Sequence, residues 1–437
     1  MNKIADLIAK EKKRQNDSLM MIPSENYTYP EVREAVGSVL MHKYAEGQPQ
    51  KRYYQGMGVV DDVELLCEQR ALEAFGLTEQ KWHVNVQPYS GTPANMAVFN
   101  ALLNPGDKIM AMYLPDGGHL SHGWEYKGKK ITLTSKIYDI GFYHVDPKTS
   151  VFDYDIVEKQ ALKFKPKLIV SGGTAYPREI DYRRMGQIAK KVGAYYLADV
   201  AHEAGLIAGG ACKSPFPYAT AVTMTTHKTL RGPRGALAFI KKEFGEELDR
   251  SIFPGLQGGP HMHTIAGIAV ALEKTKSSAF KKYAKQTVVN ARTLASELQK
   301  HGFDVVSGGT DKHLVLVDLR NKKTSGWFVA WALEAAGIVA NRNTVPNDTG
   351  SPFYPSGLRL GTQALAVRGM KEKEMEKIAG RINEVVDLVG PRAFSEDAQE
   401  RVAELKDFRQ ALGTNKGLKE IFAKVKELCD RFPLSGV

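Results

Sequence analysis

Short apolar runs alternate with helical segments from about residue 80 to residue 240 of the chain. The runs KIMAMYL, KLIVSGGT, AYYLADVA, AVTMTTHK and GALAFI predict strands, VNVQPYSGTPANMAVFNALL predicts a strand, a turn and a helix, and MGQIAKKVG predicts a helix. Strands that alternate with helices indicate an α/β domain whose mostly parallel sheet is covered on both faces. Ligands bind at the carboxyl ends of strands in such sheets, so strand ends are the places to search for chemistry.

The two ends of the chain have other patterns. The N-terminus predicts an amphipathic helix that ends near Asn16-Asp17-Ser18, and residues 262–301 predict a long helical region. After it, FDVVSG, HLVLVDL and IVANRN predict strands, GWFVAWALEAAG predicts a helix, and a closing helix is expected near 371–388. We therefore expect an N-terminal helical arm over 1–20, a large domain over 21–275 and a smaller C-terminal α+β domain over 276–437, with the last boundary inside the long helical region.

Composition indicates a globular protein of two or three domains, since the 437 residues are 43% apolar and 25% charged. No apolar run approaches the roughly 18 residues that a membrane span needs, and the N-terminus has no secretory apolar segment. Cys67, Cys212 and Cys429 lie far apart, which suits a reduced cytoplasm and offers no metal-binding spacing. We therefore expect a cytoplasmic protein with no membrane partner.

The charge balance is basic, with 60 lysines and arginines against 49 acidic residues and a net charge of +11. A basic protein binds nucleic acid or small polyanionic ligands. The basic residues are scattered, and the tightest cluster, KGKK at 127–130, is short and has no regular aromatic interleaving. This distribution disfavours nucleic acid as a main partner.

The stretch TMTTHKTLRGPRG at 223–235 surrounds Lys228 with threonines and a histidine. The β-branched residues before this lysine predict a strand, and the glycines after it predict a sharp turn. A lysine held at a strand end in polar but largely dry surroundings can lose its proton and attack a carbonyl. This stretch alone leaves open the alternative of an exposed loop lysine.

Two other strand ends carry groups suited to a charged ligand. Ser90-Gly91-Thr92 lies where a strand turns into a helix, and the unsatisfied N–H groups there favour a phosphate. Asp199 directly follows an apolar strand, and a protonated pyridine nitrogen is one possible partner for its carboxylate. The alternatives are an ordinary N-cap at Ser90 or Thr92, and an aspartate satisfied by local backbone N–H groups.

Histidines near the strand ends raise the question of a metal. His119 follows two glycines in PDGGHLSHG, where an imidazole can lie flat on an aromatic ring. His119 and His122 have no carboxylate or thiol near them in the sequence, and HMH at 261–263 has no third ligand, so we expect no metal. His202 either steadies Asp199 or contacts a ligand, unless it is a packing residue.

A phosphate seat, an acid for a pyridine nitrogen, a stacking imidazole and a reactive lysine thus fall at the strand ends of one α/β domain. Together they predict a site for pyridoxal 5'-phosphate, whose lysine Schiff base and pyridinium partner are expected features of such sites. Lys228 is the predicted Schiff-base lysine.

Motifs from about residue 15 to residue 390 resemble the serine hydroxymethyltransferase family in type and order. They are SENYTYPEV, HKYAEGQPQKRYYQG, VQPYSGTPAN, DGGHLSHG, ADVAHEAGLIA, TTHKTLRGPRG, FPGLQGGP, VSGGTDKHL, NTVPND and SGLRLGT. The resemblance implies an α/β, fold-type I pyridoxal-phosphate-dependent transferase that forms a homodimer with shared active sites. It also implies reversible conversion of L-serine and tetrahydrofolate to glycine and 5,10-methylenetetrahydrofolate.

The resemblance further implies roles for individual residues. Lys228 forms the Schiff base, Asp199 pairs with the pyridine nitrogen, and His119 stacks on the cofactor ring. The remaining implied cofactor contacts are Ser90, Gly91 and Thr92 at the phosphate, His227 on its phosphate side, His202, Thr174 and Thr225 near the ring, and Tyr44, Gly258 and Gly259 from the neighbouring subunit. The implied substrate contacts are Ser24, the acid–base Glu46, Tyr54 beside it and the carboxylate-binding Arg359, and the implied folate pocket comprises Leu114, Gly118, Leu120, Asn343, Ser351, Pro352 and Phe353.

Several positions depart from the family pattern. Thr174 stands in place of a serine and keeps its hydroxyl, Tyr89 replaces a histidine, Thr92-Pro93 replaces a Ser-Gln pair, and Leu256 replaces a glycine. A folate-independent aldolase that acts on 3-hydroxy amino acids such as threonine is the nearest alternative, and a basic RNA-binding or scaffold protein with a vestigial site is a second. For Glu46, composition alone favours a surface ion pair with Lys43 or Lys51.

Overall fold

The computed structural model describes residues 3–434. The strands are β1 Leu19–Met20, β2 Gly47–Gln48, β3 Lys51–Arg52, β4 Trp82–Asn85, β5 Lys108–Met112, β6 Glu125–Tyr126, β7 Lys129–Lys130, β8 Asp139–Tyr143, β9 Leu168–Ser171, β10 Tyr195–Asp199, β11 Ala221–Thr225, β12 Ala236–Lys241, β13 Asp304–Val305, β14 Leu314–Asp318, β15 Ile338–Val339, β16 Asn341–Asn343 and β17 Gly357–Gly361. The helices are α1 Lys3–Asp17, α2 Pro30–Val36, α3 Gly58–Ala74, α4 Gly91–Leu102, α5 Leu133–Ile137, α6 Tyr154–Phe164, α7 Tyr182–Val192, α8 Ala204–Ala208, α9 Gly245–Ile252, α10 Met262–Thr275, α11 Ser278–Lys300, α12 Gly326–Ala335, α13 Gln363–Val367, α14 Glu372–Val389, α15 Ala398–Leu412 and α16 Lys416–Arg431. Across residues 3–434, none of these helices combines the length and the apolar character that crossing a bilayer requires.

The described chain falls into two compact units. Residues Thr28–Lys285 form the large unit, and residues 3–27 together with 286–434 form the small unit. The helical region predicted over 262–301 is interrupted, because α10 ends at Thr275 and α11 begins at Ser278. The Ser277 hydroxyl accepts a hydrogen bond from the backbone N–H of Phe280 at 3.1 Å, which is the N-cap interaction that starts a new helix.

The large unit is built on a seven-stranded sheet in the order β4-β12-β11-β10-β9-β5-β8. The strands from β11 to β8 run parallel, whereas β12 and β4 pair antiparallel at one end. Residues of β5, β9, β10 and β11 are almost all fully buried, as expected for a parallel sheet with helices on both faces. The predicted α/β fold with a mostly parallel sheet is confirmed.

The small unit has a four-stranded antiparallel sheet in the order β13-β14-β17-β16. The N-terminal strand β1 pairs in parallel with β15 of the same unit. The helix predicted near 371–388 is present as α14. It is not the last helix of the chain, as had been expected, since α15 and α16 follow it. Both helices place apolar side chains, among them Leu405, Phe408 and Leu418, in the core of this unit.

Candidate active site

Two neighbouring parallel strands bring Asp199 and the turn of Lys228 to one edge of the sheet in the large unit. Asp199 ends β10, and its register partner on β11 is Thr223. Strand β11 continues to Thr225, and Lys228 lies in the turn that follows. Because the carboxyl ends of parallel strands share one edge, both groups occupy the ligand-binding side that this architecture provides.

Lys228 is a buried lysine, because only 8% of its surface is exposed. Its turn is held by two fully buried threonines. The hydroxyl of Thr226 donates to the carbonyl of Pro233 at 2.6 Å, and the hydroxyl of Thr229 donates to the carbonyl of His202 at 2.9 Å. The exposed loop lysine that the sequence left open is therefore excluded.

His227 lies next to this lysine in an environment that disfavours its protonated form. Burial, together with the positive charges of Lys228 and Arg234, lowers the pKa of His227 from 6.5 to about 3. Its Nδ1 is buried and has no hydrogen-bond partner among residues 3–434. The imidazole of His227 is therefore neutral at neutral pH, and one of its nitrogens is unused.

Asp199 is buried and richly hydrogen-bonded. Its Oδ2 accepts from Nε2 of His122 at 2.9 Å and from Nδ2 of Asn95 at 2.8 Å, and its Oδ1 accepts from the backbone N–H of Ala201 at 3.0 Å. Burial by itself would raise the pKa of Asp199, but the hydrogen bond and charge of His122 and the hydrogen bond from Asn95 outweigh it. The pKa of Asp199 therefore lies well below its usual range, and the carboxylate is ionised at neutral pH.

The fold also brings a carboxylate to the two histidines for which the sequence offered none. The ligand atoms of His119, His122 and Asp199 all lie within 4.8 Å of one another. The sequence argument against a metal at these histidines was therefore wrong in its reason, because the carboxylate comes from a residue 77 positions away along the chain. Two of the three atoms, His122 Nε2 and Asp199 Oδ2, are hydrogen-bonded directly to each other.

The predicted phosphate seat lies at the N-terminus of α4. Ser90 occupies the N-cap position, but its side chain makes no capping hydrogen bond, so the ordinary N-cap reading of Ser90 is not what the structure has. A Cβ placed on Gly91 would come within 2.9 Å of Cγ2 of Thr225, which shows how closely this turn approaches the end of β11. The helix N-terminus and the turn of Lys228 are thus neighbours in the large unit.

The loop that carries His119 is anchored to the segment after β9. The carbonyl of Gly117 accepts from the backbone N–H of Thr174 at 2.7 Å and from that of Ala175 at 3.1 Å. A Cβ on Gly118 would lie 2.3 Å from the carbonyl oxygen of Met112, so only glycine fits there. Leu114 and Leu120 begin two short 3-10 helices of this loop, and Leu120 is exposed.

Tyr44, Glu46 and Tyr54 form a second cluster with the Gly258-Gly259 loop. The hydroxyl of Tyr54 donates to Oε2 of Glu46 at 3.4 Å, and the rings of Tyr44 and Tyr54 lie edge to face at 5.4 Å. A Cβ on Gly258 would lie 3.4 Å from Oε1 of Glu46, and one on Gly259 would lie 3.2 Å from Cε1 of Tyr44. In this part of the described chain Glu46 pairs with neither Lys43 nor Lys51, since Lys43 donates to the carbonyl of Gly56 instead.

Arg52, which the sequence did not single out, fixes the backbone around Glu46. Its Nη1 donates to the carbonyls of Ala45 at 2.9 Å and of Gly47 at 2.5 Å, which are the residues on either side of Glu46. The guanidinium is itself held by the fully buried Glu64, at 2.5 Å. Nothing in the sequence marks Arg52 for this role, because basic residues are frequent throughout the chain.

Tyr89 connects this second cluster to the phosphate seat. Its hydroxyl donates to the carbonyl of Gly259 at 2.7 Å, its ring stacks on His261 at 4.3 Å, and its backbone N–H donates to Gln257 at 3.0 Å. Since Tyr89 directly precedes Ser90, the tyrosine ties the 257–261 loop to the start of α4.

The other predicted site residues belong to the small unit. Arg359 lies on β17, is buried, and donates from Nε to Oδ1 of Asn341 on β16 at 3.2 Å. Burial lowers the pKa of Arg359 to about 10, so it remains a cation at neutral pH. A Cβ on Gly361 would lie 2.6 Å from Cα of Pro23, which places the turn of Ser24 beside the end of β17.

The predicted folate residues of the small unit lie on β16 and in the loop after it. Asn343 ends β16 and donates from its side chain to the carbonyl of Thr344 at 2.7 Å. Ser351, Pro352 and Phe353 lie in the following loop, where the backbone N–H of Tyr354 donates to the carbonyl of Ser351. Phe353 is 76% exposed.

A parallel sheet with a buried lysine, an ionised buried aspartate and a helix N-terminus at its ligand edge defines a fold-type I pyridoxal-phosphate-dependent enzyme. The family model described as serine hydroxymethyltransferase matches residues 1–382. The chain belongs to the serine hydroxymethyltransferase family, whose members are enzymes that depend on pyridoxal phosphate and use tetrahydrofolate as co-substrate.

Curated relatives agree with this assignment over nearly the whole chain. A protein of Caenorhabditis elegans named serine hydroxymethyltransferase is 45% identical over 99% of this chain and 88% of its own length. Proteins of the same name from Caenorhabditis briggsae and Desulfotalea psychrophila are 44% and 45% identical over 99% of this chain, covering 87% and 94% of their own lengths. The similarity therefore extends through α15 and α16, beyond the residues that the family model matches.

Proposed function

We propose that this enzyme converts L-serine and tetrahydrofolate reversibly to glycine and 5,10-methylenetetrahydrofolate with the residues assigned below. The single observation that carries the proposal is the shared sheet edge where Asp199, the turn of Lys228 and the N-terminus of α4 meet. Of a phosphorylated pyridine aldehyde, Asp199 suits the ring nitrogen, Lys228 the aldehyde, and the N-terminus of α4 the phosphate.

The residues of this edge fit pyridoxal phosphate in their chemistry. Asp199 is an ionised carboxylate that suits a protonated pyridine nitrogen, and Lys228 is a buried amine that suits an aldehyde. Ser90 has a hydroxyl not used for capping, and Gly91 leaves room beside backbone N–H groups for phosphate oxygens. When bound, the cofactor supplies an electron sink for the bond broken at Cα of the amino acid.

Roles follow for the protein's own groups at this edge. Lys228 holds the cofactor through its amine, and Asp199 keeps the ring nitrogen protonated. His119 packs on the ring face, while Thr174, His202, Thr225 and His227 line the site. Ser90, Gly91 and Thr92 bind the phosphate.

Substrate recognition is assigned to Arg359, Glu46, Tyr54 and Ser24. Arg359 binds the carboxylate of serine through its guanidinium fork, since a bidentate contact fixes the orientation of the Cα bonds. Glu46 exchanges a proton with the hydroxyl of serine, and the Tyr54 hydroxyl that donates to it holds it in place. Ser24 contacts the substrate, and Leu114, Gly118, Leu120, Asn343, Ser351, Pro352 and Phe353 contact the folate.

We propose that the active protein is a homodimer in which Tyr44, Glu46, Gly258 and Gly259 act on the partner's cofactor site. The support is the exposure of large apolar side chains in the segment around Glu46: Val39 is 74% exposed, Tyr53 72% and Val59 72%. Surfaces rich in exposed apolar and aromatic groups are typical of interfaces.

Complementation between inactive variants tests the shared site. Lys228→Ala and Glu46→Gln chains carrying different tags are co-expressed, and the mixed dimers are isolated. If Glu46 serves the partner's site, each mixed dimer has one intact site, and activity returns to about half the wild-type value per dimer. If Glu46 serves its own chain, both sites stay defective and no activity returns.

We further propose that the protein works in the cytoplasm. The support is that Cys67 and Cys429 are buried thiols that form no disulfide, which suits a reducing compartment. Fractionation of the source cells tests this, since recovery with a membrane or extracellular marker would contradict it.

The dependence of serine cleavage on tetrahydrofolate tests the proposed reaction against a folate-independent 3-hydroxy amino acid aldolase. Purified holoenzyme is given L-serine with and without tetrahydrofolate, and glycine is measured. A rate that rises with tetrahydrofolate supports the proposal. A rate that ignores it, together with faster cleavage of threonine, would establish the aldolase.

A further inference from the structure

Asn95 is a buried residue of α4 that contacts Asp199 of the cofactor site and connects it, through Ser121, to His119. Its side-chain nitrogen donates to Oδ2 of Asp199 at 2.8 Å and to the hydroxyl of Ser121 at 2.9 Å. Its side-chain oxygen accepts from the hydroxyl of Thr223 at 2.5 Å. Asn95 is 1% exposed, so it reaches the site only through these neighbours.

The orientation of this amide is fixed by its surroundings. Rotating it by a half-turn would place the amide oxygen against the carboxylate of Asp199, which is an ionised group. The observed orientation instead uses both N–H bonds of the amide and one lone pair of its oxygen, with no donor left over. The direction of each hydrogen bond around Asn95 is therefore determined.

The same bonds determine which nitrogen of His119 carries a proton. The backbone N–H of Ser121 points at Nδ1 of His119 at 3.2 Å, so Nδ1 is an acceptor. The Ser121 hydroxyl accepts a hydrogen bond from Asn95. Its own hydrogen can therefore be donated to Nδ1 of His119, which lies 2.7 Å away. The neutral imidazole of His119 consequently carries its proton on Nε2.

We propose that Asn95 is a positioning residue that couples His119 to Asp199 through one hydrogen-bonded chain. One arm holds the carboxylate of Asp199 ionised and aligned, and the other arm passes through Ser121 and fixes the tautomer and the plane of His119. This inference rests on the proposed function, in which Asp199 meets the ring nitrogen of pyridoxal phosphate and His119 meets the ring face. Asn95 lies four residues after Gly91 on α4, so the seat for the phosphate and the support for the ring lie on the same face of one helix.

Cofactor affinity of the apoenzyme is the first measurement. Pyridoxal phosphate is titrated into apoenzyme by fluorescence, with Asn95→Ala, Ser121→Ala and the double variant compared with wild type. Asn95→Ala is expected to raise Kd by about tenfold or more, because it removes a hydrogen bond to a charged group, and Ser121→Ala by about threefold. In the double variant, the increase in Kd is expected to be smaller than the product of the two single increases, since both substitutions break the connection from Asn95 through Ser121 to His119.

The tautomer of His119 is the second measurement, and a purely structural role for Asn95 would not move it. Nitrogen NMR of histidine-labelled apoenzyme is expected to show an unprotonated Nδ1 for His119 in wild type and a tautomer mixture in Asn95→Ala. Asn100→Ala is the matched control, because Asn100 is on the same helix and donates to Ser251 at 2.9 Å away from these residues. It is expected to leave both measurements unchanged.

Failure of this inference is separable from failure of the proposed function. If wild-type apoenzyme does not bind pyridoxal phosphate, the proposed function falls. If wild type binds it and Asn95→Ala binds it within twofold of wild type, with the tautomer unaltered, only the role of Asn95 is refuted. Should Asn95→Ala not fold, Ser121→Ala takes its place, since it breaks the connection from Asn95 to His119 and leaves the hydrogen bond from Asn95 to Asp199 intact; an unchanged Kd and tautomer in that variant would equally refute the coupling.

Discussion

Nε2 of His122 lies 2.9 Å from Oδ2 of Asp199, and the imidazole of this pair is completely buried. Only 9% of the Asp199 side chain is exposed, so its charge depends on this donor, on Asn95 and on the backbone N–H of Ala201. A carboxylate held in this way remains an anion at neutral pH, which is the property that a partner for a protonated pyridine nitrogen needs.

Asp199→Asn is therefore expected to lower kcat for serine conversion at least a hundredfold, with the apoenzyme still folded. The amide has nearly the same shape but carries no charge, so it cannot hold a proton on the ring nitrogen at the moment when negative charge develops. Steady-state kinetics with saturating cofactor measure the effect. Asp153→Asn, at the N-cap of α6, is the control and should keep wild-type kcat. Wild-type turnover in Asp199→Asn would contradict the role of the charge.

The low pKa of His227 makes the stability of the apoenzyme depend on pH in a defined direction. The folded-state pKa of about 3 lies below the unfolded value of about 6.5, so the unfolded chain binds the extra proton between these values. Stability is then fully present well above pH 6.5 and falls as the pH drops, by at most about 2 kcal/mol between pH 6.5 and 5 from this group.

Urea unfolding of the apoenzyme at pH 7.5, 6.5, 5.5 and 5.0 measures this dependence. His227→Gln lacks the titrating group and should lose less stability over the same interval than wild type. Equal losses in the two proteins would mean that His227 is not held neutral in the folded state.

Arg52 and Arg184 offer a comparison between a buried and an exposed ion pair in the same unit. Arg52 is buried against the fully buried Glu64, whereas Arg184, whose side chain is 31% exposed, pairs with the exposed Asp155 and with Glu158. Arg52→Ala leaves a buried carboxylate without its counter-ion and should reduce the free energy of unfolding by about 3–5 kcal/mol. Arg184→Ala should have a far smaller effect, since exposed pairs contribute little.

Double replacement decides whether the loss arises from the stranded charge. Arg52→Met combined with Glu64→Leu should recover much of the stability lost in Arg52→Ala, but kcat should remain low, because the carbonyls beside Glu46 have lost their donor. Recovery of both stability and kcat would show that Arg52 does not position Glu46.

Arg359→Lys is expected to raise the KM for serine at least tenfold while leaving the cofactor affinity unchanged. A lysine keeps the positive charge but cannot make the planar two-point contact with a carboxylate. Its ammonium also loses charge more readily than a guanidinium at a buried position, where burial already lowers the pKa of Arg359 to about 10. Kinetics with L-serine measure KM, and titration of the apoenzyme with pyridoxal phosphate measures Kd. A change confined to Kd would place Arg359 at the cofactor instead.

The sequence predicted those site residues that lie at or just after the ends of strands. Apolar runs locate β10 and β11, and Asp199 and Lys228 come directly after them, so their shared edge follows from the parallel arrangement. The break between α10 and α11 was missed because helical patterns lie on both sides of it, and the polar stretch 273–278 with the cap at Ser277 is its signal. Helices α15 and α16 escaped because no feature of the chemistry directed attention to the C-terminus.

The supporting residues could not be predicted, because their partners are distant in sequence. Asn95 reaches Asp199 across 104 positions and Thr223 across 128, and no local pattern encodes either contact. The same holds for the carboxylate beside His119 and His122, since Asp199 lies 77 positions from His122 and the local sequence, which lacks it, argued against a metal. These contacts form because α4 begins at the phosphate seat and runs past the end of β10.

Tyr89 offers the last prediction, because its hydroxyl is one of three contacts that join the 257–261 loop to the start of α4. Tyr89→Phe keeps the stacked ring and removes only the hydrogen bond to the carbonyl of Gly259, which should lower the local stability of the loop by about 1 kcal/mol.

Hydrogen exchange of a peptide covering 255–262 should then become about fivefold faster. The affinity for pyridoxal phosphate should fall by a similar factor if the loop contacts the phosphate. Tyr143→Phe is the matched control, since it removes a hydroxyl that donates to the carbonyl of Val170 at 2.8 Å elsewhere in the sheet. Faster exchange of the loop in both variants would indicate a general loss of stability, whereas faster exchange in Tyr89→Phe alone would locate the effect at Gly259.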